Sequence, residues 1–148
     1  MSDQPHLAPN PARVFLDANV MYAACLAPSG GSAKLWSTGA LMLVTSEYAL
    51  REAWENLVHQ ADGEALRVRL LELVERVEVI PHDSIATAAA RAWSLPDPTD
   101  VPILEGAIAA RCAYLATLDI ACFGEFYNTQ VDGVTIIKPG KLLDRLGL

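Results

Sequence analysis

Residues 13–20 read RVFLDANV and residues 114–119 read YLATLD. Each is a short, largely apolar run that stops at an aspartate, Asp17 in the first and Asp119 in the second. Such a run, too short for a helix and bounded by turn or helix signals, is the pattern of a strand covered on both faces. Working outward, LMLV at 41–44, VEVI at 77–80 and VTII at 134–137 repeat it. The intervening stretches have helical spacing. Residues 18–26 come first, ended by Pro28, Ser29, Gly30 and Gly31, and residues 32–38 follow, stopped by Gly39. Ser46 then caps a helix to about Val58, in which Ala49, Leu50, Ala53, Trp54, Leu57 and Val58 recur at helical intervals. Asp62 opens a helix with a stripe of Ala65, Leu66, Leu70, Leu73 and Val74, and Asp83 opens an alanine-rich one to about Trp93. After the proline-flanked loop LPDPT at 95–99, Asp100 heads a helix with Pro102 in its first turn, and residues 141–146 close the chain as a short helix. Strands alternating with helices predict an α/β domain, a three-layer α/β/α sandwich around a mostly parallel sheet of about five strands.

Residues 1–12 are polar and proline-containing and read as a flexible tail; 13–148 read as one domain without linker or repeat. The 148 residues, 52% of them hydrophobic, suffice for a real core. No apolar run approaches the roughly 20 residues that span a bilayer, and the N-terminus has no signal-peptide core. Both point to a cytoplasmic protein with no membrane association. Cys25, Cys112 and Cys122 form no CxxC pair and read as small buried hydrophobes. The net charge of −7, from 18 acidic against 11 basic side chains, disfavours a protein that grips nucleic acid by charge alone. It leaves room for one that does so through bound metal.

The acids are placed for that. In parallel α/β sheets ligands bind beyond the carboxyl ends of the strands. Asp17 follows the first strand, Asp119 the fourth, Asp100 heads the helix before the fourth, and Glu52 lies about two turns into the helix after the second. Four carboxylates from separate segments can converge on one sheet edge, where mutual repulsion and desolvation call for a cation or retained protons. Oxygen ligands favour Mg²⁺ or Mn²⁺. His6, His59 and His82 have no ligand spacing and receive no metal role. Singly, Asp17, Asp100 and Asp119 read as helix caps and Glu52 as an ordinary helix acid like Glu55 or Glu72; their shared edge favours the metal reading. Asn19 and Thr117 can hydrogen-bond a ligating carboxylate, or serve as a helix-start and a strand residue. Asp97 reads as a turn former or an extra ligand, and the flanking prolines favour the turn.

Taken together these segments resemble the PIN-domain family. VFLDANVMYAA resembles its opening strand with an Asp-x-Asn-Val motif; TSEYALREAWENL its Ser-led helix, whose second acid maps to Glu52; DPTDVPILEGAIAA its Asp-Pro-x-Asp segment, with Asp100 third; YLATLD the strand carrying the fourth, Asp119. VTIIKPGKLLDRL resembles the closing strand, proline and helix. The resemblance covers nearly the whole chain from Arg13. It implies a metal-dependent endoribonuclease acting on single-stranded RNA, of the small stand-alone kind that often serves as the toxin of a toxin–antitoxin pair, with an antitoxin protein as partner. One departure follows Asp119: Ile120 and Ala121 stand where many relatives carry another acid, and Phe123 comes one place late.

Two other readings compete. A haloacid-dehalogenase-like phosphatase would need a second acid where Asn19 stands, and a lysine better placed than Lys34 or Lys138. A non-catalytic PIN-like scaffold, binding protein or RNA without cutting, would show no carboxylate-dependent metal affinity. Arg51, Arg67, Arg69, Arg76, Arg91 and Arg111 read mainly as solvated helix charges. Trp36, Trp54 and Trp93 read as core residues rather than base-stacking platforms. The helix pair over residues 57–74 reads equally as a homodimer surface or as core covering.

Overall fold

The computed structural model describes residues 10–82 and 98–148. The helix read at 83–93, Arg91, Trp93, Asp97, His6 and most of the tail lie outside the described residues. Along the chain run β1 (Ala12–Leu16), α1 (Ala18–Leu26), α2 (Gly31–Lys34) with a 3₁₀ turn (Leu35–Ser37), β2 (Leu41–Ser46), α3 (Glu47–Leu57), α4 (Gly63–Val74) and β3 (Glu78–Ile80). A 3₁₀ turn (Pro98–Asp100) then leads into α5 (Val101–Ala109). Next come β4 (Tyr114–Ala116), α6 (Ile120–Phe123), a 3₁₀ turn (Gly124–Phe126), β5 (Gln130–Val131), β6 (Val134–Ile137) and α7 (Pro139–Arg145).

The sheet has the order β3-β2-β1-β4-β6-β5, parallel throughout except for the β5–β6 pair. Val14, Phe15 and Leu16 are all fully buried. Because successive strand residues point to opposite faces, β1 must be covered on both, as its apolar run predicts. Among the described residues the sheet has six strands, against the expected five or so. The extra one, β5, pairs with β6 across Asp132 and Gly133, whose φ angles of 47° and 84° make the left-handed two-residue turn of a tight hairpin. Helix boundaries shift by a few residues, and the segment read as one helix at 32–38 is a turn of α-helix continued as 3₁₀.

The pair α3–α4 does part of what its apolar content suggests. Leu57 and Leu70 are fully buried in the core, while Val58, Val68 and Leu71 remain about half exposed. Trp36 is buried and donates Nε1–H to the Leu73 carbonyl at 3.0 Å. The Trp54 ring is covered by the Arg67 guanidinium at 4.4 Å. Neither is presented as a platform for bases. Among the described residues no helix is long and apolar enough to cross a membrane.

Ser46 sits at the hinge between β2 and α3, fully buried, and its Oγ accepts from Ala49 N at 3.1 Å. Ser46→Ala removes the cap and leaves a buried donor unmet. We expect a loss of about 1 kcal/mol, or somewhat more for a buried site, read as a fall in the urea midpoint at unchanged slope.

Candidate metal centre

The chain lays down β1, β2 and β3 in one direction, then returns to place β4 against the other side of β1. The crevice at such a reversal, beyond the carboxyl ends of the strands, is where parallel sheets bind ligands. Leu16 is the register partner of Ala116. Asp17 and Thr117 are therefore neighbours just past the reversal, tied by Asp17 N–H to the Ala116 carbonyl at 3.1 Å.

Oxygen accounting decides between cap and ligand. Asp17 Oδ1 accepts from Ala18 N at 2.6 Å, which is a cap contact. Its Oδ2 accepts from Thr117 Oγ1 at 2.8 Å and from Asn19 Nδ2 at 3.3 Å. Asn19 Oδ1 in turn accepts from Leu118 N at 3.0 Å, and Thr117 Oγ1 accepts from Asp119 N at 3.1 Å. Asp17 and Asn19 from one strand end are thereby locked to Thr117, Leu118 and Asp119 from the next. Asp119 caps α6 through Oδ1, which accepts from Cys122 N at 3.1 Å, and Oδ2 takes no hydrogen bond among the described residues. Asp100 stands at the N-cap of α5 but makes no side-chain cap bond to it. The cap reading thus holds for Asp17 and Asp119 with one oxygen each, and fails for Asp100.

The structure clusters Asp100 with Asp119 and sets Asp17 within electrostatic reach of Asp100 and Glu52, while Asp97 lies outside the described residues. Carboxylate oxygens of Asp100 and Asp119 and the Cys122 sulfur lie within 4.8 Å of one another. Glu52 is half-buried, unlike the exposed Glu55 and Glu72 with which it was compared. Of the arginines, Arg76 and Arg111 precede β3 and β4 and so lie toward the opposite edge.

Asp17 is 3% exposed. Its carboxyl is pushed up from 3.8 to about 7, chiefly by burial and further by the charges of Asp100 and Glu52, against the lowering effect of the Thr117 and Ala18 hydrogen bonds. Such a group is poised either to hold a proton or to take a cation, and the surrounding donors, carboxylate oxygens with one sulfur, fit a divalent ion.

Three residues join the site that sequence reading missed. Tyr127 donates its hydroxyl to the Thr117 carbonyl at 3.1 Å, and its phenol is pushed up to about 12 by burial and by the charges of Asp119 and Asp17. Tyr48 donates to the Thr99 carbonyl at 2.6 Å, tying α3 to the turn before Asp100, and its ring stacks on His82 at 5.9 Å. Cys122 is buried, as its apolar neighbours predict, but its sulfur faces acids as well. Only Cys122 carried a signal, three residues beyond Asp119 in the turn that Asp119 caps.

The chain belongs to the PIN-domain family, whose family model matches residues 13–121. No curated protein matches the sequence as a relative. Among solved structures the chain is similar to VapBC2 from Rickettsia felis bound to a promoter DNA fragment, with a TM-score of 0.61 at 14% identity, covering 85% of this chain and 98% of that one. DNA-bound VapBC from Salmonella typhimurium gives a TM-score of 0.61 at 17% identity, covering 86% and 98%. The sarcin–ricin loop cleaving toxin VapC20 of Mycobacterium tuberculosis gives 0.54 at 19%, covering 72% and 90%. At such identities the likeness establishes the fold, a helix-flanked and mostly parallel sheet.

Proposed function

We propose that this PIN-domain protein is a divalent-metal-dependent endoribonuclease of single-stranded RNA, and the toxin of a toxin–antitoxin pair. The observation that carries the reading is Asp17: a carboxyl buried with no cationic partner among the described residues, beside two further acids, and fastened in place by Thr117 and Asn19. An unused scaffold would have no reason to keep a charge that destabilises it in the empty state.

Asp17, Asp100, Asp119 and Glu52 would hold Mg²⁺ or Mn²⁺. When bound, the ion supplies an acidified water and neutralises charge on the phosphodiester. Thr117 and Asn19 orient Asp17 by donating to Oδ2, leaving Oδ1 shared with the Ala18 amide. The Tyr127 phenol, held protonated by its surroundings, stays a donor and fixes the Thr117 backbone from the far side. Asp97 remains a candidate for a further ligand from the Pro-flanked loop.

The toxin half of the reading is supported by the similarity to a Mycobacterium tuberculosis toxin that cleaves the sarcin–ricin loop. An antitoxin protein is then the expected partner and the cytoplasm the expected compartment. Half-exposed Val58, Val68 and Leu71 offer a surface for a second copy.

Pure protein should cut members of a mixed single-stranded RNA panel with Mg²⁺ or Mn²⁺ present, and EDTA should stop it. Folded protein that neither cuts nor binds metal through its carboxylates would leave the non-catalytic scaffold as the reading.

A further inference from the structure

A site built of acids repels a polyanion, and the net charge of −7 offers RNA no general attraction. A ribonuclease of this kind needs a cation beside the site. Lys138 stands where one is needed. Ala116 is the register partner of Ile137, just as Leu16 is of Ala116. One step past the ends of three adjacent parallel strands therefore come Asp17, Thr117 and Lys138 in a row. Thr117 N–H donates to the Ile137 carbonyl at 3.1 Å and holds that row together. Two strand spacings, about 10 Å, separate the backbones of Asp17 and Lys138.

The Lys138 ammonium lies 5.3 Å from the centroid of the Tyr127 ring, the residue whose hydroxyl meets the Thr117 carbonyl. Among the described residues Arg13 and Glu78 form the one ion pair, so Lys138 has no carboxylate partner there despite the acids nearby. The aromatic face holds the half-buried stem in place while the charge stays available to an anion.

We infer that Lys138 binds a backbone phosphate of the RNA next to the scissile one, with the Tyr127 ring as its rest. The inference rests on the ribonuclease reading and adds the contact that positions the strand. It predicts a charge contact without base preference, because a point charge on a flexible stem reads phosphate and not sequence.

The test uses the full chain carrying Asp17→Asn to silence cleavage, with and without Lys138→Gln, and a labelled single-stranded RNA followed by anisotropy across a salt series. Loss of one phosphate contact should lower the slope of log affinity against log salt by about 0.7. At low salt binding should weaken roughly tenfold, and Lys138→Arg should restore both. An unchanged slope and affinity with normal RNA binding would overturn the Lys138 contact alone. A weaker affinity at unchanged slope, with a lowered melting temperature, would make Lys138 merely structural and overturn it too. If the folded parent protein neither binds nor cuts RNA with Mg²⁺ or Mn²⁺ present, the ribonuclease reading falls and takes this contact with it.

Discussion

Asp17→Asn should reduce RNA cleavage on the order of a thousandfold or more, while making the metal-free protein more stable than its parent. The two effects have one cause. Removing a partner that only orients a metal ligand typically costs 10–100-fold, and losing the central ligand itself costs more. Asparagine keeps one oxygen, which can go on accepting from Ala18 N–H, while its amide group takes the place of Oδ2 and can donate to Thr117 Oγ1. The Asn19 contact is lost, and the strand ends stay tied by the residue-17 N–H to the Ala116 carbonyl. The substitution removes a charge that burial and the neighbouring Asp100 and Glu52 disfavour. Metal affinity measured calorimetrically should collapse together with cleavage, and thermal melting in EDTA should move upward. A variant that cuts within tenfold of the parent would show that the site lies elsewhere. One that loses cleavage but also melts well below the parent would show that Asp17 is structural.

How much of this is legible without coordinates depends on the range of the interaction that sets each feature. The strands around Phe15, Val44, Leu115 and Ile136 are legible because a fully covered strand leaves a continuous apolar run. Ser46 is legible as a cap because capping is a contact over three residues. Asp17, Glu52, Asp100 and Asp119 become legible only jointly: sheet topology makes the ends of different strands neighbours, and the family resemblance fixes which acid in each segment is meant.

Other features needed tertiary contact or a closer local reading. The β5–β6 hairpin has a local signal in Asp132-Gly133 between apolar residues. Tyr127 and Tyr48 had none. Each reaches a backbone carbonyl of another segment, Thr117 in one case and Thr99 in the other, and no periodicity encodes such a contact. Capping and ligation are compatible at Asp17 and Asp119, since a carboxylate has two oxygens and the cap occupies one.

The second large effect concerns pH. In metal-free protein the Asp17 carboxyl titrates at about 7 when folded, against 3.8 for an ordinary aspartate. Between those values the folded state keeps a proton that the unfolded state has released. Raising the pH through that window therefore favours unfolding, and stability contributed by this group is present below about pH 4 and lost by the time pH passes about 7. A carboxyl raised from 3.8 to about 7 changes stability by on the order of 4 kcal/mol across the whole window. Urea midpoints in EDTA should accordingly fall between pH 5 and pH 8, and Asp17→Asn should flatten most of that fall. Comparing the two proteins separates Asp17, together with its coupling to Asp100 and Glu52, from the acids elsewhere in the chain. Saturating Mg²⁺ or Mn²⁺ should raise the pH 8 midpoint far more than the pH 5 one, because the ion binds the ionised site and so stabilises the folded state where the charge is otherwise unmet. Parallel pH profiles for parent and variant would mean that Asp17 is ionised and satisfied without a cation. That outcome would remove the main physical argument for a metal at this sheet edge.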